Sequence, residues 1–293
     1  TGYPVIMGPL GSEGEQQFLR TQLTHQMVAE RMNASDGFSA DAKFTIDTLQ
    51  QLMYSNRVLG AEWNLDDVLL LCLSAEAALV LEQPVLNACQ QLALWDRKVN
   101  VDSVGAHIFT EFWRALQDIL GENITLLNPD VWKVAFDPND PIHTPRGFNI
   151  EAPEAQQVIF GALNTAVANI TAANLALDIP FSQAQYVERN DNNIPIHGGY
   201  DDMGTFGVIK VSLDNGGYHN IRGGNSYIQT ITWDETACPN AQGILVHSQS
   251  TDPDSPHYAD QTSVYSEKGW VKLPYCADEI VEAKIGEVLV LEE

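Results

Sequence analysis

Residues 206–250, "FGVIKVSLDNGGYHNIRGGNSYIQTITWDETACPNAQGILVHSQS", decide the fold class. Three runs within them, "FGVIKVSL", "NSYIQTITWD" and "QGILVHSQS", are rich in branched and aromatic residues, and "DNGG", "RGG" and "CPNAQ" separate them as turns. With "AQYVER" just upstream they predict short antiparallel strands. The glycine pairs at 198–199, 216–217 and 223–224 read as turns between them.

Upstream, the period changes from two to 3.6. "GEQQFLRTQLTHQMVAERM" places Phe18, Leu19, Leu23, Met27 and Val28 on one helical stripe, and "NASDG" stops it. "FTIDTLQQLMYSN" repeats the pattern with Ile46, Leu49, Leu52 and Met53. "NLDDVLLLCLSA" and "PVLNACQQLALWD" form a helix pair with one cysteine each. "DSVGAHIFTEFWRALQDIL" aligns Val104, Ile108, Phe109, Phe112, Trp113, Leu116 and Leu120 behind an Asp102 or Ser103 cap, so its aromatic residues are core. A loop rich in proline and aspartate, "NPDVWKVAFDPNDPIHTPRG", reads as a seam before one more helix, "APEAQQVIFGALNTAVANITAANLAL", with Pro153 in its first turn. The end reads as a short helix, "ADEIVEAK", and a terminal strand, "EVLVLE". Helices over about 14–180 and strands over about 181–293 define an α+β chain, with the helices packed on one face of a sheet.

Composition narrows the function. Thirty-nine acidic against fifteen basic residues give a formal charge of -24, a field that repels nucleic acid and anionic bilayers. No apolar run approaches the roughly 18 to 20 residues of a membrane span. The charge suits the solubility of a secreted or envelope protein. The four cysteines, Cys72, Cys89, Cys238 and Cys276, contain no C-x-x-C pair, so zinc and thioredoxin-like chemistry lack support and two disulfides become the reading. Cys72 and Cys89 lie on consecutive helices. Cys238 and Cys276 bracket the strand, loop and helix that contain "SPHYADQ", so the expected pairs are Cys72–Cys89 and Cys238–Cys276. The opening "TGYPVIMGPLG" has neither the basic nor the apolar region of a signal peptide, and reads as an internal segment or a processed end.

Seven histidines fall at 25, 107, 143, 197, 219, 247 and 257 without an H-E-x-x-H or His-x-His pattern, so no metal site is expected. His107, inside an amphipathic helix, reads as packed or at a solvent edge. No G-x-S-x-G elbow, P-loop or dinucleotide glycine turn occurs. "SPHYADQ", residues 255–261, is a denser cluster: it follows an apolar strand, as cleft-lining loops do, yet lacks the spacing of a nucleophile, base and orienter. Its plainer reading is a braced loop in which Asp260 caps the next helix.

The residues resemble a known family. "GGNSYIQTITWD" followed by "GILVHSQSTDPDSPHYADQTSVYSEKGWVKLPYCADEI" is similar to the closing part of the catalytic β-subunit of penicillin amidases, N-terminal-nucleophile hydrolases, with the acyl-homoserine-lactone acylases nearest in likeness. "IPIHGG", "WDRKVNVDSVGAHIFTEFW" and "GSEGEQQFLRTQL" extend the likeness upstream in the expected order. The resemblance implies a share in a four-layer αββα fold and hydrolysis of an amide that carries a fatty acyl or similar side chain. The reaction would pass through an acyl-enzyme on an N-terminal serine, with backbone N–H groups and an asparagine holding the oxyanion. It implies a precursor cleaved into an α-chain and a β-chain, a periplasmic or secreted location and no cofactor. The serine, its histidine neighbour and the oxyanion asparagine all precede the segment that "TGYP" resembles, so no catalytic residue is expected here. The chain reads as the C-terminal half of a β-subunit, whose partners are the α-chain and the rest of the β-subunit. Arg20 in "FLRTQL" matches an arginine near the rim of the family's active site; the competing reading is a helix-surface arginine. The likeness makes His257, Tyr258, Asp260 and Gln261 scaffold. Thr1 is rejected as nucleophile, because "TGYPVIMGPLG" has no strand period and lies beyond the oxyanion asparagine. A β-lactam or cyclic-lipopeptide acylase, and a non-catalytic binding module derived from the fold, are the alternatives.

Overall fold

Among the described residues, the first part of the chain holds the helices α1 (Leu19–Met32), α2 (Ile46–Met53), α3 (Leu59–Cys72), α4 (Gln83–Leu94), α5 (Ala106–Leu120) and α6 (Pro153–Ala172). The computed structural model describes residues 15–121, 129–233, 235–287 and 289–290. Local chemistry sets several of the ends. Thr45 and Thr48 exchange side-chain and backbone hydrogen bonds in a capping box at the start of α2, and proline opens α4 and α6, where its missing N–H costs nothing. Helix α5 starts later than its sequence pattern predicts. Ser103 Oγ accepts from the Asn100 N–H at 3.2 Å, which closes the preceding turn, and Gly105 becomes the cap with φ of 108°. A Cβ on Gly105 would come within 2.9 Å of Trp95 Cβ, so the close approach of α4 and α5, not a polar cap, decides this end.

The remaining elements among the described residues are short helices α7 (Phe181–Ala184), α8 (Asp260–Ser266) and α9 (Ala277–Ala283), together with nine strands. Strand β1 (Trp132–Val134) pairs with β2 (Arg146–Phe148), β3 (Tyr186–Arg189) with β4 (Asn192–Pro195), and β5 (Ile209–Val211) with β6 (Ile221–Gly224). Strands β7 (Tyr227–Thr232), β8 (Asn240–Leu245) and β9 (Val271–Lys272) form a three-stranded sheet in that order. Every pair is antiparallel, as an α+β chain requires. Among the described residues no helix is long and apolar enough to cross a membrane.

Several expectations change. "RGG" is strand β6 rather than a turn: Gly224 adopts φ of 122°, and a Cβ there would sit 2.1 Å from the Val208 carbonyl oxygen, so glycine admits close strand pairing. Residues 129–148 hold the strand pair β1–β2 instead of a plain loop, and they are stitched to the helices instead of marking a seam. Gln22 Nε2 donates to the carbonyls of Pro141 and Thr144 at 3.0 and 2.9 Å, and the Gly147 N–H donates to Asn64 Oδ1 at 2.9 Å. On α1, Leu23 and Met27 are buried as the stripe requires, but Phe18 is 74% exposed and Val28 39%. Leu289 and Val290 lie outside any strand, and the end of "EVLVLE" lies outside the described residues.

The core crosses the helix–strand boundary. Phe109, Phe112 and Trp113 of α5 join Ile159, Leu163 and Ile170 of α6, and the same cluster continues through Phe181 and Ile209 to Ile244 and Tyr265. Two disulfides clamp its periphery. Cys72–Cys89 joins the end of α3 to α4 and is fully buried, whereas Cys238–Cys276 ties the approach to β8 to the cap of α9 and is partly exposed. Their Cα separations of 6.4 and 5.8 Å fall within the range a disulfide spans. Chain-entropy arithmetic gives about 3 kcal/mol for the shorter loop and about 4 kcal/mol for the longer. Burial dictates the order of reduction. Titration of the native protein with a phosphine, followed by alkylation and peptide mapping, is expected to label Cys238 and Cys276 well before Cys72 and Cys89. Equal labelling of all four would show that α3 and α4 do not shield their bridge.

Candidate functional site

Arg20 sits in the first turn of α1, and its guanidinium is held on two sides. Nε donates to the Phe206 carbonyl at 3.0 Å, and Cζ lies 4.8 Å from the centroid of the Phe206 ring. Among the described residues, no protein acceptor takes a hydrogen bond from Nη1 or Nη2. A guanidinium carries five N–H donors, so the fixed fork has four left for a ligand.

Phe206 is itself fixed. It follows a single 3-10 turn at Asp201–Met203, which α1, α3 and α5 enclose. Trp113 Nε1 donates to the Asp202 carbonyl at 2.9 Å, and the Leu59 N–H donates to the Gly204 carbonyl at 3.2 Å. Gly204 has φ of 81°, and a Cβ there would come within 2.7 Å of Leu59 Cβ. The turn thus presses onto the start of α3 as only glycine permits.

His197, from "IPIHGG", lies completely inside the protein. Nε2 is 2.9 Å from the Tyr265 carbonyl oxygen and Nδ1 is 3.2 Å from Asn56 Oδ1. Asn56 Nδ2 donates to Asn100 Oδ1 at 2.8 Å, and Lys268 Nζ donates to the same oxygen at 2.6 Å. The Tyr265 ring stacks on the imidazole at 4.2 Å, while Tyr54 meets it edge-on at 5.1 Å. Two facing acceptors would favour the imidazolium, but burial and the charge of Lys268 oppose it, and burial prevails: the group is pushed down to about 3. Beside this network a cleft of about 460 Å³ opens between α2 and Trp270, with Lys98, Asn100 and Lys268 on its wall.

The "SPHYADQ" loop is a brace. The His257 carbonyl accepts from the N–H groups of Gln249 and Ser250 at 3.2 and 3.0 Å, and Gln261 Oε1 accepts from the Leu245 N–H at 2.8 Å, which ties α8 to β8. Arg189 lies 4.9 Å over the Tyr258 ring. Asp260 does not cap α8; the cap is Ala259, and Asp260 Oδ2 instead meets His257 Nδ1 at 2.9 Å. Partial burial raises the Asp260 carboxyl, but the hydrogen bonds from His257 and the Gln261 N–H outweigh it and hold the group below its ordinary value. His107 is buried, with Nε2 3.0 Å from the Ala176 carbonyl oxygen, and burial pushes it down to about 4. Among the described residues no histidine ring hydrogen-bonds a serine, threonine or cysteine side chain, so no nucleophile and base are joined there. Thr1 lies outside the described residues. The one group of three possible metal donors among them, Cys238, Cys276 and Glu279, has both sulfurs in a disulfide.

Two sites carry no local sequence signal. His197 looks like any strand-end histidine until folding brings Asn56 to it from 141 residues away. Glu111 occupies the buried face of α5, where it accepts from the Tyr218 hydroxyl at 2.8 Å and from Asn169 Nδ2 at 3.0 Å.

The sequence profile described as Penicillin amidase matches residues 3–282. Aculeacin-A acylase of Actinoplanes utahensis is 34% identical over 284 residues, covering 95% of this chain and 33% of that protein. The acyl-homoserine lactone acylase PvdQ of Pseudomonas syringae pv. syringae is 31% identical over 255 residues, covering 86% of this chain and 31% of that protein. The chain thus spans about a third of the length of these relatives. Among solved structures, a thermostable penicillin G acylase from Alcaligenes faecalis aligns with a TM-score of 0.41 and 14% identity, over 90% of this chain and 52% of that one.

The two buried imidazoles give the fold an acid limit. Both are neutral when folded, with values of about 4 for His107 and about 3 for His197, against 6.5 for the free side chain. The unfolded chain therefore takes up protons first as pH falls. Their stabilisation is complete above about pH 6.5 and is lost as pH falls through about 4 and then about 3. Urea midpoints measured from pH 7 to 4 should fall, and His197→Gln and His107→Gln should each flatten the slope while lowering stability at pH 7. An unchanged slope in both variants would remove the histidines from the account.

Proposed function

The chain belongs to the penicillin amidase family, and on that premise we propose that it is part of an acylase that hydrolyses the amide of N-acyl substrates such as N-acyl-homoserine lactones. Family membership carries the reading, and the pinned guanidinium of Arg20 gives it a local chemical basis. The reaction passes through an acyl-enzyme ester on an N-terminal serine supplied by a segment outside this sequence, with the serine's own α-amine as base. The helices and sheets described above form part of the four-layer αββα architecture of the assembled enzyme. Its α-chain and the remainder of its β-subunit are the partners, a reading supported by the share of the relatives' length that this chain covers. Two disulfides fit an oxidising periplasmic or extracellular location.

Arg20 is placed to bind and orient. Nε and the Phe206 ring set the plane of the guanidinium, and the Nη groups can donate to a lactone or amide carbonyl of a bound substrate. A donor held this way spares substrate binding the entropy of ordering a long side chain. It supplies binding energy to substrate and transition state alike, so its effect falls on KM. The likeness to aculeacin-A acylase favours a cyclic-lipopeptide acylase as the second reading. A non-catalytic module remains the third.

Acyl release by the complete protein, assayed side by side on an N-acyl-homoserine lactone, a cyclic lipopeptide and penicillin G, separates these readings. Turnover of the first supports the proposal, preference for either other substrate moves it within the family, and none on all three favours the module. Release by the 293-residue chain alone, abolished by Thr1→Ala, would overturn the placement of the nucleophile elsewhere. In the complete enzyme Arg20→Ala should raise KM about tenfold or more, with kcat changed much less, as expected for a charged hydrogen bond of about 1.5–3 kcal/mol. Unchanged kinetics would reduce Arg20 to a helix-surface residue.

A further inference from the structure

Between β3 and β6 lies a cleft of about 450 Å³, remote in sequence from Arg20. Its wall carries Arg189, Arg222, His219 and His247, with Asn220 and Ser226 as neutral polar neighbours and no aspartate or glutamate. The rest of the chain is the opposite, with 39 acidic residues against 15 basic ones. Most of its other arginines, including Arg31, Arg57, Arg97 and Arg114, have a carboxylate within ion-pair distance, whereas neither Arg189 nor Arg222 forms an ion pair among the described residues.

The side chains are held for use. Arg189 lies over the Tyr258 ring at 4.9 Å and spends one donor on the Glu188 carbonyl at 3.1 Å, while its Nε is buried without an acceptor. A buried guanidinium N–H with no partner is costly unless something else accepts from it. The His219 ring stacks on Tyr186 with centroids 5.7 Å apart. Burial first, and then the charge of Arg189, hold His247 below its ordinary value.

We infer that this cleft is a binding site for the oxyanion group, phosphate or carboxylate, of a small molecule. Two guanidinium forks match the paired oxygens of such a group, and the neutral polar side chains can complete its shell. The net charge of -24 argues against a polyanion such as nucleic acid, whose repulsion extends well beyond one cleft. A small anion meets mainly the local field. The inference is independent of the acylase reading.

Calorimetric titration of the intact protein with inorganic phosphate and, separately, with acetate tests it, with sodium chloride at matched ionic strength as the reference. Saturable one-to-one binding of at least one probe is expected, and the probe that binds better identifies the group. Affinity should fall at least tenfold in Arg222→Gln, whose side chain is exposed, and binding should vanish in the double variant R189Q/R222Q, with acyl release unchanged. If the double variant does not fold, the single variant decides. Heats no different from chloride, or binding that survives loss of Arg222, would overturn the site.

Discussion

The buried imidazole of His197 is the constraint on which the remaining arrangement rests. Asn56 and Asn100 come from the helical part of the chain, and His197, Tyr265 and Lys268 from the strand-rich part, yet one hydrogen-bonded path runs through all five. Such a network stabilises only while every member is satisfied, because the low dielectric that strengthens each bond makes an unpaired group equally costly. Apolar packing alone would let the two parts slide. The polar path fixes their register, as directional contacts do and dispersion does not.

Arg20 inherits its position from that register. Directly after His197, Gly198 donates to the Val99 carbonyl at 3.0 Å, and its φ of 104° lets a backbone oxygen of Gly207 approach where a Cβ would clash at 2.6 Å. Gly199 donates to the Gly207 carbonyl at 3.0 Å, closing residues 199–207 into a loop that carries Phe206. Phe206 then receives the Arg20 guanidinium. The path from the buried histidine to the candidate binding residue is therefore short and consists largely of backbone. A shift of the imidazole would be transmitted to the fork through few soft torsions.

Much of this was legible in the sequence, and the parts that were not share a cause. The 3.6-residue period of α5 was clear because a helix buried on most of its surface needs apolar residues in a pattern the eye can count. The two disulfides followed from neighbouring helices and from a bracketed loop. The start of α5, the strand at "RGG" and the pair β1–β2 were misread because each depends on a partner outside its own local run: Trp95 at Gly105, Val208 at Gly224, and the pairing of Trp132 with Phe148. "SPHYADQ" appeared rich in chemistry because histidine, tyrosine and aspartate braced a loop with the same groups that catalysis uses. His197 drew no attention because its partners lie 141 and 68 residues away.

In a chain this acidic, the use of its few cations separates scaffold from site. Arg31 is fully buried and collects the carbonyls of Ser39 and Asp41 and the carboxylate of Asp36, so it acts as an internal cation that shapes the loop after α1. Arg57 binds Glu30 and Glu62 together, joining α1 to α3; burial opposes its charge, but hydrogen bonds from Glu62, the largest influence, and from Glu30 keep the guanidinium firmly protonated. These side chains are spent on the fold. Solvent-facing Lys98, Arg146 and Lys284 are hydrated and need no partner. Arg20 and Arg189 fit neither group: both are partly buried and held over aromatic rings, and neither meets a carboxylate among the described residues. With acids in such excess, a nearby carboxylate would have been the easiest neighbour to acquire, and its absence at these positions is the observation on which the two proposed binding roles rest.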